Sequence, residues 1–255
     1  SAALGLAGVV AAVALVRFDP LVLSSSVYRH GGARLHDSAK MLFFKDGQTA
    51  TVSVFETDRG EGPVRSIATN GKVDAGMTVN LSQAPSGDES TMVLLGALPL
   101  ALGNGFERVG VIGFGSGLTT HTLLGDPRVG QVDTVEIEPA MVEGARLFGD
   151  RVSRAYDDPR SHIVIDDAKA HFAGSGRRYD LIISEPSNPW VGGTASLFSD
   201  EFYAFVPHRL NDGGLFVQWL QLYEITPELV SSVLAGLVDH FSDVRAYLAN
   251  DSDLI

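Results

Sequence analysis

"RVGVIGFGSG", residues 108–117, decides the fold. Its first half is an apolar run, and its second half carries three glycines at alternate positions. Such a run, stopped at once by glycine, reads as a buried strand ending in a tight turn. "QVDTVEIE" (131–138), "SHIVIDD" (161–167), "YDLIISE" (179–185) and "GGLFVQWL" (213–220) are further apolar runs. Apolar residues at helical spacing lie between or after them, at 118–124, 139–148, 199–210 and 227–240. Strands alternating with helices predict parallel βαβ units in a doubly wound α/β sheet. Near-continuous apolar strands predict a sheet covered on both faces.

Upstream the texture changes. "KMLFFKDG" and "QTATVSVFETDRG" are rich in β-branched and aromatic residues and are broken by turn residues, as short strands are. "NGK", residues 70–72, reads as a hairpin turn. "NLSQAPSGDES" (80–90) reads as a loop, followed by helical spacing over 91–102. The expected organisation is an apolar helix over 1–20, a small β-strand domain over 25–86 and a Rossmann-like nucleoside-binding domain over 87–255. Residues 1–16 carry no charge, a run slightly short of the roughly 20 residues that span a bilayer. Three readings stand: the end of a transmembrane helix, a signal-peptide core, or a buried helix. Arg17, Asp19 and Pro20 end the run abruptly, as a membrane exit would.

The totals exclude some classes. With 255 residues and a net charge of -12, the chain lacks the basic surface that nucleic-acid binding needs. With no cysteine it has neither disulfides nor a cysteine-based zinc site, which leaves the compartment open. The seven histidines show no metal-ligand spacing, so no metal is expected, and no G-x-S-x-G elbow supports hydrolase chemistry.

Ligands of doubly wound sheets bind beyond the carboxyl ends of the strands. Each polar cluster of this chain falls at such an end. Gly113, Gly115, Ser116 and Gly117 form a strand-to-helix loop where backbone can approach a ligand closely, or simply a tight turn. A dinucleotide fingerprint would place a glycine at Leu118; G-x-G-x-G is instead associated with S-adenosylmethionine-type nucleosides. Glu136, about 20 residues on, stands where an acid accepts hydrogen bonds from ribose hydroxyls, with Glu138 as the neighbouring alternative. Asp166, Asp167 and Ala168 end the third strand; one aspartate can accept from an exocyclic amine, and Asp167 can cap the next helix. "DLIISEPSNPW" ends a strand with Glu185, Ser187 and Asn188, stiffened by Pro186 and Pro189. Gln218 ends the fifth strand at the edge of the site.

Taken in order, G-x-G-x-G, "VEIEP", "DDA", "YDLIISEPSNP", "LF…FY" and "GGLFVQW" resemble the spermidine synthase family of aminopropyltransferases, most closely its bacterial subgroup fused behind a membrane domain. The resemblance covers the chain from about Ala39 onward. It implies a small N-terminal β domain before a methyltransferase-like Rossmann domain, and decarboxylated S-adenosylmethionine or S-adenosylmethionine as co-substrate. Family members usually end the fourth strand in Asp-Ser-Ser-Asp-Pro, whose first aspartate takes a proton from the attacking amine; that position is Glu185. An amine is mostly protonated at neutral pH, and only its lone pair attacks, so the chemistry needs such a group. The family's second aspartate is here Asn188, the aspartate of its glycine loop is Ser116, and its Tyr-His/Gln-Glu motif is replaced by Thr91, Met92 and Val93. The resemblance thus implies an intact nucleoside half and a diamine half short of acids, with a non-standard acceptor.

Two further functions fit the same sequence: methyl transfer from S-adenosylmethionine, and a non-catalytic nucleoside-binding domain of a membrane protein. The expected partners are a small-molecule amine acceptor, a membrane met through residues 1–16 and a second copy of the chain, with no nucleic acid. The expected location is the membrane, with the catalytic domain on the cytoplasmic side, or else the cytoplasm.

Overall fold

The computed structural model describes Gly5 and residues 18–58, 60–191 and 193–255. Four strands, β1 (Lys40–Asp46), β2 (Thr51–Asp58), β3 (Pro63–Thr69) and β4 (Lys72–Thr78), form an antiparallel meander. Asn70 and Gly71, both at positive φ, make the two-residue turn that pairs Thr69 with Lys72. That is the primed-turn chemistry whose twist matches the strands it joins.

A 16-residue helix, Gly87–Leu102, then leads to β5 (Phe106–Ile112). It starts inside the stretch read as a loop. The Ser86 hydroxyl accepts from the Glu89 N–H, so a serine N-cap with glutamate three residues on sets the true start. The second sheet adds β6 (Val129–Glu136), β7 (Ser161–Ile165), β8 (Tyr179–Ser184) and β9 (Leu210–Gln218), all parallel, in the order β7-β6-β5-β8-β9. The fold is therefore α/β and Rossmann-like, preceded by an antiparallel sheet. Leu181, Ile182 and Ile183 of β8 are buried in sequence, as a strand covered on both faces requires. The expected helix over 199–210 is shorter: Asp200–Phe205 passes into a 3₁₀ turn at Pro207, and β9 begins at Leu210. A small antiparallel sheet of β10 (Leu220–Gln221), β11 (Leu248–Asn250) and β12 (Asp253–Leu254) was not foreseen; its strands are too short to show a period.

The chain reverses direction across the sheet between β5 and β8. Its switch point lies beside Gly113 and Glu185, because Ile112 pairs with Ser184. The first sheet packs on the helices of the second unit, with Val52, Val54, Ile67 and Met77 against Met92 of helix Gly87–Leu102, Met141 of helix Pro139–Ala145 and Phe148. Among the described residues no helix is long and apolar enough to cross a membrane. Of the apolar helix expected over 1–20, only Gly5 and residues 18–20 are described, and there Asp19 caps a separate short helix, Pro20–Leu23.

Candidate functional site

A cavity of about 280 Å³ opens at the switch point, between the β3–β4 hairpin and the carboxyl ends of β5, β6, β7 and β8. The glycine loop forms its floor. Gly113, Gly115 and Gly117 all have positive φ, conformations that side chains resist. Gly113 must also be glycine on contact grounds: a Cβ there would meet the Glu185 carbonyl oxygen at 2.4 Å. Gly113 and Gly115 line the cavity. Ser116 turns away from it, fully buried, with its hydroxyl against the Met92 sulfur at 3.1 Å and accepting from the Leu118 N–H. Gly117 is the N-cap of helix Leu118–Leu123 and supports the loop from behind.

Glu136 ends β6, buried beside this loop. Its two oxygens accept from the N–H groups of Phe114 (2.9 Å) and Glu138 (2.8 Å). Burial still pushes its carboxyl up to about 7, against those hydrogen bonds. Glu138, the neighbouring alternative, does other work. It caps helix Pro139–Ala145 and accepts from Thr49 N–H, Thr49 hydroxyl and Ala50 N–H, tying the two sheets together. Burial opposes its charge, but these donors outweigh it and hold the carboxyl below its ordinary value. Asp166 and Asp167 line the cavity from the end of β7 beside Ala168, and Asp167 does cap helix Ala168–Gly174, accepting from the Ala170 N–H at 2.9 Å.

Glu185 follows β8, its N–H bonded to the Ile112 carbonyl at 3.0 Å. Its Oε2 accepts from the Thr119 hydroxyl at 2.7 Å. Burial first, then the nearby charges of Asp253 and Asp88, push its carboxyl up to about 7. Ser187 lines the cavity and donates to Asp74 at 2.7 Å. Asn188 is fully buried and does not face the cavity. Gln218 is displaced from its expected place: its amide donates to the Trp219 carbonyl, and its side chain lines a separate groove against helix Pro227–His240.

The family model for the spermine/spermidine synthase domain matches residues 90–250. The chain belongs to this family. Relatives of the spermine/spermidine synthase family include the polyamine aminopropyltransferase of Bacillus subtilis (strain 168), 32% identical over 144 residues, 56% of this chain and 52% of that one. The chain spans about half the length of the curated relatives it matches. In fold it is similar to a spermidine synthase crystallised with the transition-state analogue AdoDATO (TM-score 0.69, 21% identity, 84% of this chain and 72% of that one). It is similar also to the spermidine synthase of Thermotoga maritima (TM-score 0.67, 22% identity, 84% and 72%).

The cavity carries further acids that the sequence pattern did not single out. Asp74 of β4, Asp88 in the first turn of helix Gly87–Leu102 and Asp253 of β12 all line the cavity. Asp253 accepts from the Trp219 indole, the Thr91 hydroxyl and the Asn250 amide at 2.7–3.1 Å. Burial, then Asp253, pushes the Asp88 carboxyl up to about 6, with Lys72 acting against them. Lys72, buried, donates to Asp74 at 3.0 Å. Of these, Asp88 had a local signal, the Ser86 cap two residues before it. Lys72 and Asp74 had a weaker one, as alternate charged residues on one face of a strand. Asp253 had none. Trp219 walls the cavity, whereas Trp190 is exposed.

Proposed function

We propose that the chain binds an S-adenosyl sulfonium nucleoside and transfers its aminopropyl group to an amine, the nucleoside being decarboxylated S-adenosylmethionine. The observation that carries this reading is the charge of the cavity: among the described residues, eight acidic side chains and one lysine, Lys72, line it. A sulfonium with a free ammonium matches that wall. The carboxylate of S-adenosylmethionine itself would enter it at a desolvation cost, and the one lysine among the described lining residues, Lys72, is already paired with Asp74. The names of the curated relatives point the same way.

In this reading Gly113, Gly115 and Gly117 let backbone meet the nucleoside, and Ser116 holds the loop. Glu136 accepts from the ribose, and Asp166, Asp167 and Ala168 border the base. Glu185 takes a proton from the acceptor's ammonium. The freed nitrogen bonds to the aminopropyl carbon, the carbon–sulfur bond breaks, and its electron pair stays on sulfur as a neutral thioether. Ser187 adjoins the acceptor, with Asn188 behind it and Gln218 beyond the strand. The nucleoside part is residues 87–255, with 25–86 as its lid-side sheet. The acceptor is an amine other than putrescine: the family's acids are absent at Ser116 and Asn188, and of the cavity's other acids Asp74 is already paired with Lys72 while Asp253 already accepts from Trp219, Thr91 and Asn250. Attachment to a membrane through residues 1–16, with the site on the cytoplasmic side, and a homodimer belong to the same reading.

Methyl transfer is the second reading, favoured by the neutral Ser116 and Asn188. Calorimetry with each nucleoside, followed by product analysis with a panel of amines, decides between them. Tighter binding of the decarboxylated form and amine-dependent release of thioether are expected. Preference for S-adenosylmethionine with methylated product would replace the first reading with the second. Turnover of either kind excludes a pure binding domain.

A further inference from the structure

Thr119 lies in the first turn of helix Leu118–Leu123, directly after the glycine loop, and is buried. Its hydroxyl is 2.7 Å from Glu185 Oε2 and 3.2 Å from the Met92 carbonyl oxygen. A hydroxyl has one proton to donate and lone pairs to accept with. It therefore cannot donate to both oxygens at once. With Glu185 ionised, the hydroxyl donates to the carboxylate. With Glu185 protonated, the acid donates to Thr119 Oγ1, and the threonine proton turns to the Met92 carbonyl. Neither state leaves a buried polar group without a partner, which matters because an unmade buried hydrogen bond costs more than a made one contributes.

We propose that Thr119 is the positioning residue of Glu185, holding the carboxylate toward the cavity and accepting from it once the proton has been taken. This rests on the reading of Glu185 as proton acceptor given above. The balance is simple: one proton leaves the acceptor nitrogen and resides on Glu185, while the threonine proton stays on its own oxygen and changes partner. The charged groups around Glu185 are Asp253 from β12, Asp88 from helix Gly87–Leu102, Glu136 from β6, and Lys72 with Asp74 from β4. Burial, Asp253 and Asp88 raise the Glu185 carboxyl, and the Thr119 hydroxyl opposes them.

The test is an NMR titration of the Glu185 side-chain carboxyl in the ligand-free chain, assigned by its loss in Glu185→Gln. The wild-type midpoint is expected near the elevated value of about 7. Thr119→Val keeps the shape and removes both bonds; because the bond to the ionised carboxylate is the stronger of the two, the midpoint is expected to rise by roughly one unit, with Thr119→Ser restoring it. Thr119→Ala serves the same purpose should the valine variant not fold. In turnover, the acid limb of kcat/KM should move the same way while KM for the nucleoside changes little. An unchanged midpoint in folded Thr119→Val or Thr119→Ala overturns the role of Thr119 and leaves the Glu185 reading standing. Full turnover by Glu185→Gln overturns that reading, and the catalytic purpose of Thr119 with it.

Discussion

Glu136 and Glu185 are both acids at strand ends, yet their surroundings give them different work. Glu136 spends two acceptor sites on backbone N–H groups of its own loop region, so it shapes the glycine turn as well as facing the cavity. Replacing it by alanine is expected to weaken nucleoside binding by roughly 1–3 kcal/mol, the cost of buried partners left unpaired. Calorimetry checks this, and unchanged affinity removes Glu136 from the site. Glu185 meets a hydroxyl and otherwise faces the cavity. Glu185→Gln is expected to keep nucleoside affinity and lose on the order of 10²–10⁴ in turnover, the usual worth of a general base. Single-turnover rates on the true acceptor measure it, and a fully active variant would make the carboxylate structural.

At the scale of elements, the closest constraint is the contact of the β5 and β8 ends. Gly113 combines a φ of 91° with a carbonyl 2.4 Å from where a Cβ would stand. Gly113→Ala is expected to cost about 2 kcal/mol or more, since the strain and the contact must both be relieved by moving the end of β8. Because Glu185 leaves that same strand end, nucleoside affinity or turnover should fall with stability. Thermal melting and calorimetry on the variant test this; an alanine as stable as glycine would show that the strand ends are free to separate. The boundary error at helix Gly87–Leu102 belongs to this scale too. "SGDES" has a loop composition, and only the cap between Ser86 and Glu89 marks it as a helix start. Glu89 then reaches the Arg151 guanidinium, Thr78 N–H and Thr78 hydroxyl, distant partners that no local pattern announces.

For the whole molecule, the concentration of acids in one cavity sets a pH dependence. Glu136 and Glu185 are raised to about 7 and Asp88 to about 6. In the unfolded chain these groups release their protons near pH 4–4.5. Between roughly pH 4.5 and 7 the folded state therefore binds more protons than the unfolded state, and stability falls as pH rises, levelling above about 7. A melting temperature that falls from about pH 5 to 7.5 is expected for the ligand-free chain. A cationic nucleoside favours the ionised acids, so its affinity should rise through the same window, with protons released on binding. Calorimetry in buffers of different ionisation enthalpy counts those protons. Stability that rises with pH over this range would place the three acids in water.

The α/β class, the parallel strands and the four polar clusters at the ends of β5 to β8 were legible because they are local: apolar period, glycine stops and strand-end acids lie within a few residues of one another. Glu136, Asp166, Asp167 and Glu185 could be named from such short stretches, since a strand followed by a turn puts the next residue at the sheet's carboxyl edge whatever the rest of the chain does. The folded chain alone decided which side chains turn inward. It sent Ser116 to the Met92 sulfur, Glu138 to Thr49 and Gln218 to another groove. It brought Asp74, Asp88 and Asp253, separated by up to 179 positions in the numbering, to one wall. The physical reason is that periodicity encodes which face of an element is apolar, whereas a cavity forms from contacts between elements distant in sequence, and those exist only once the first sheet has packed on the helices of the second unit.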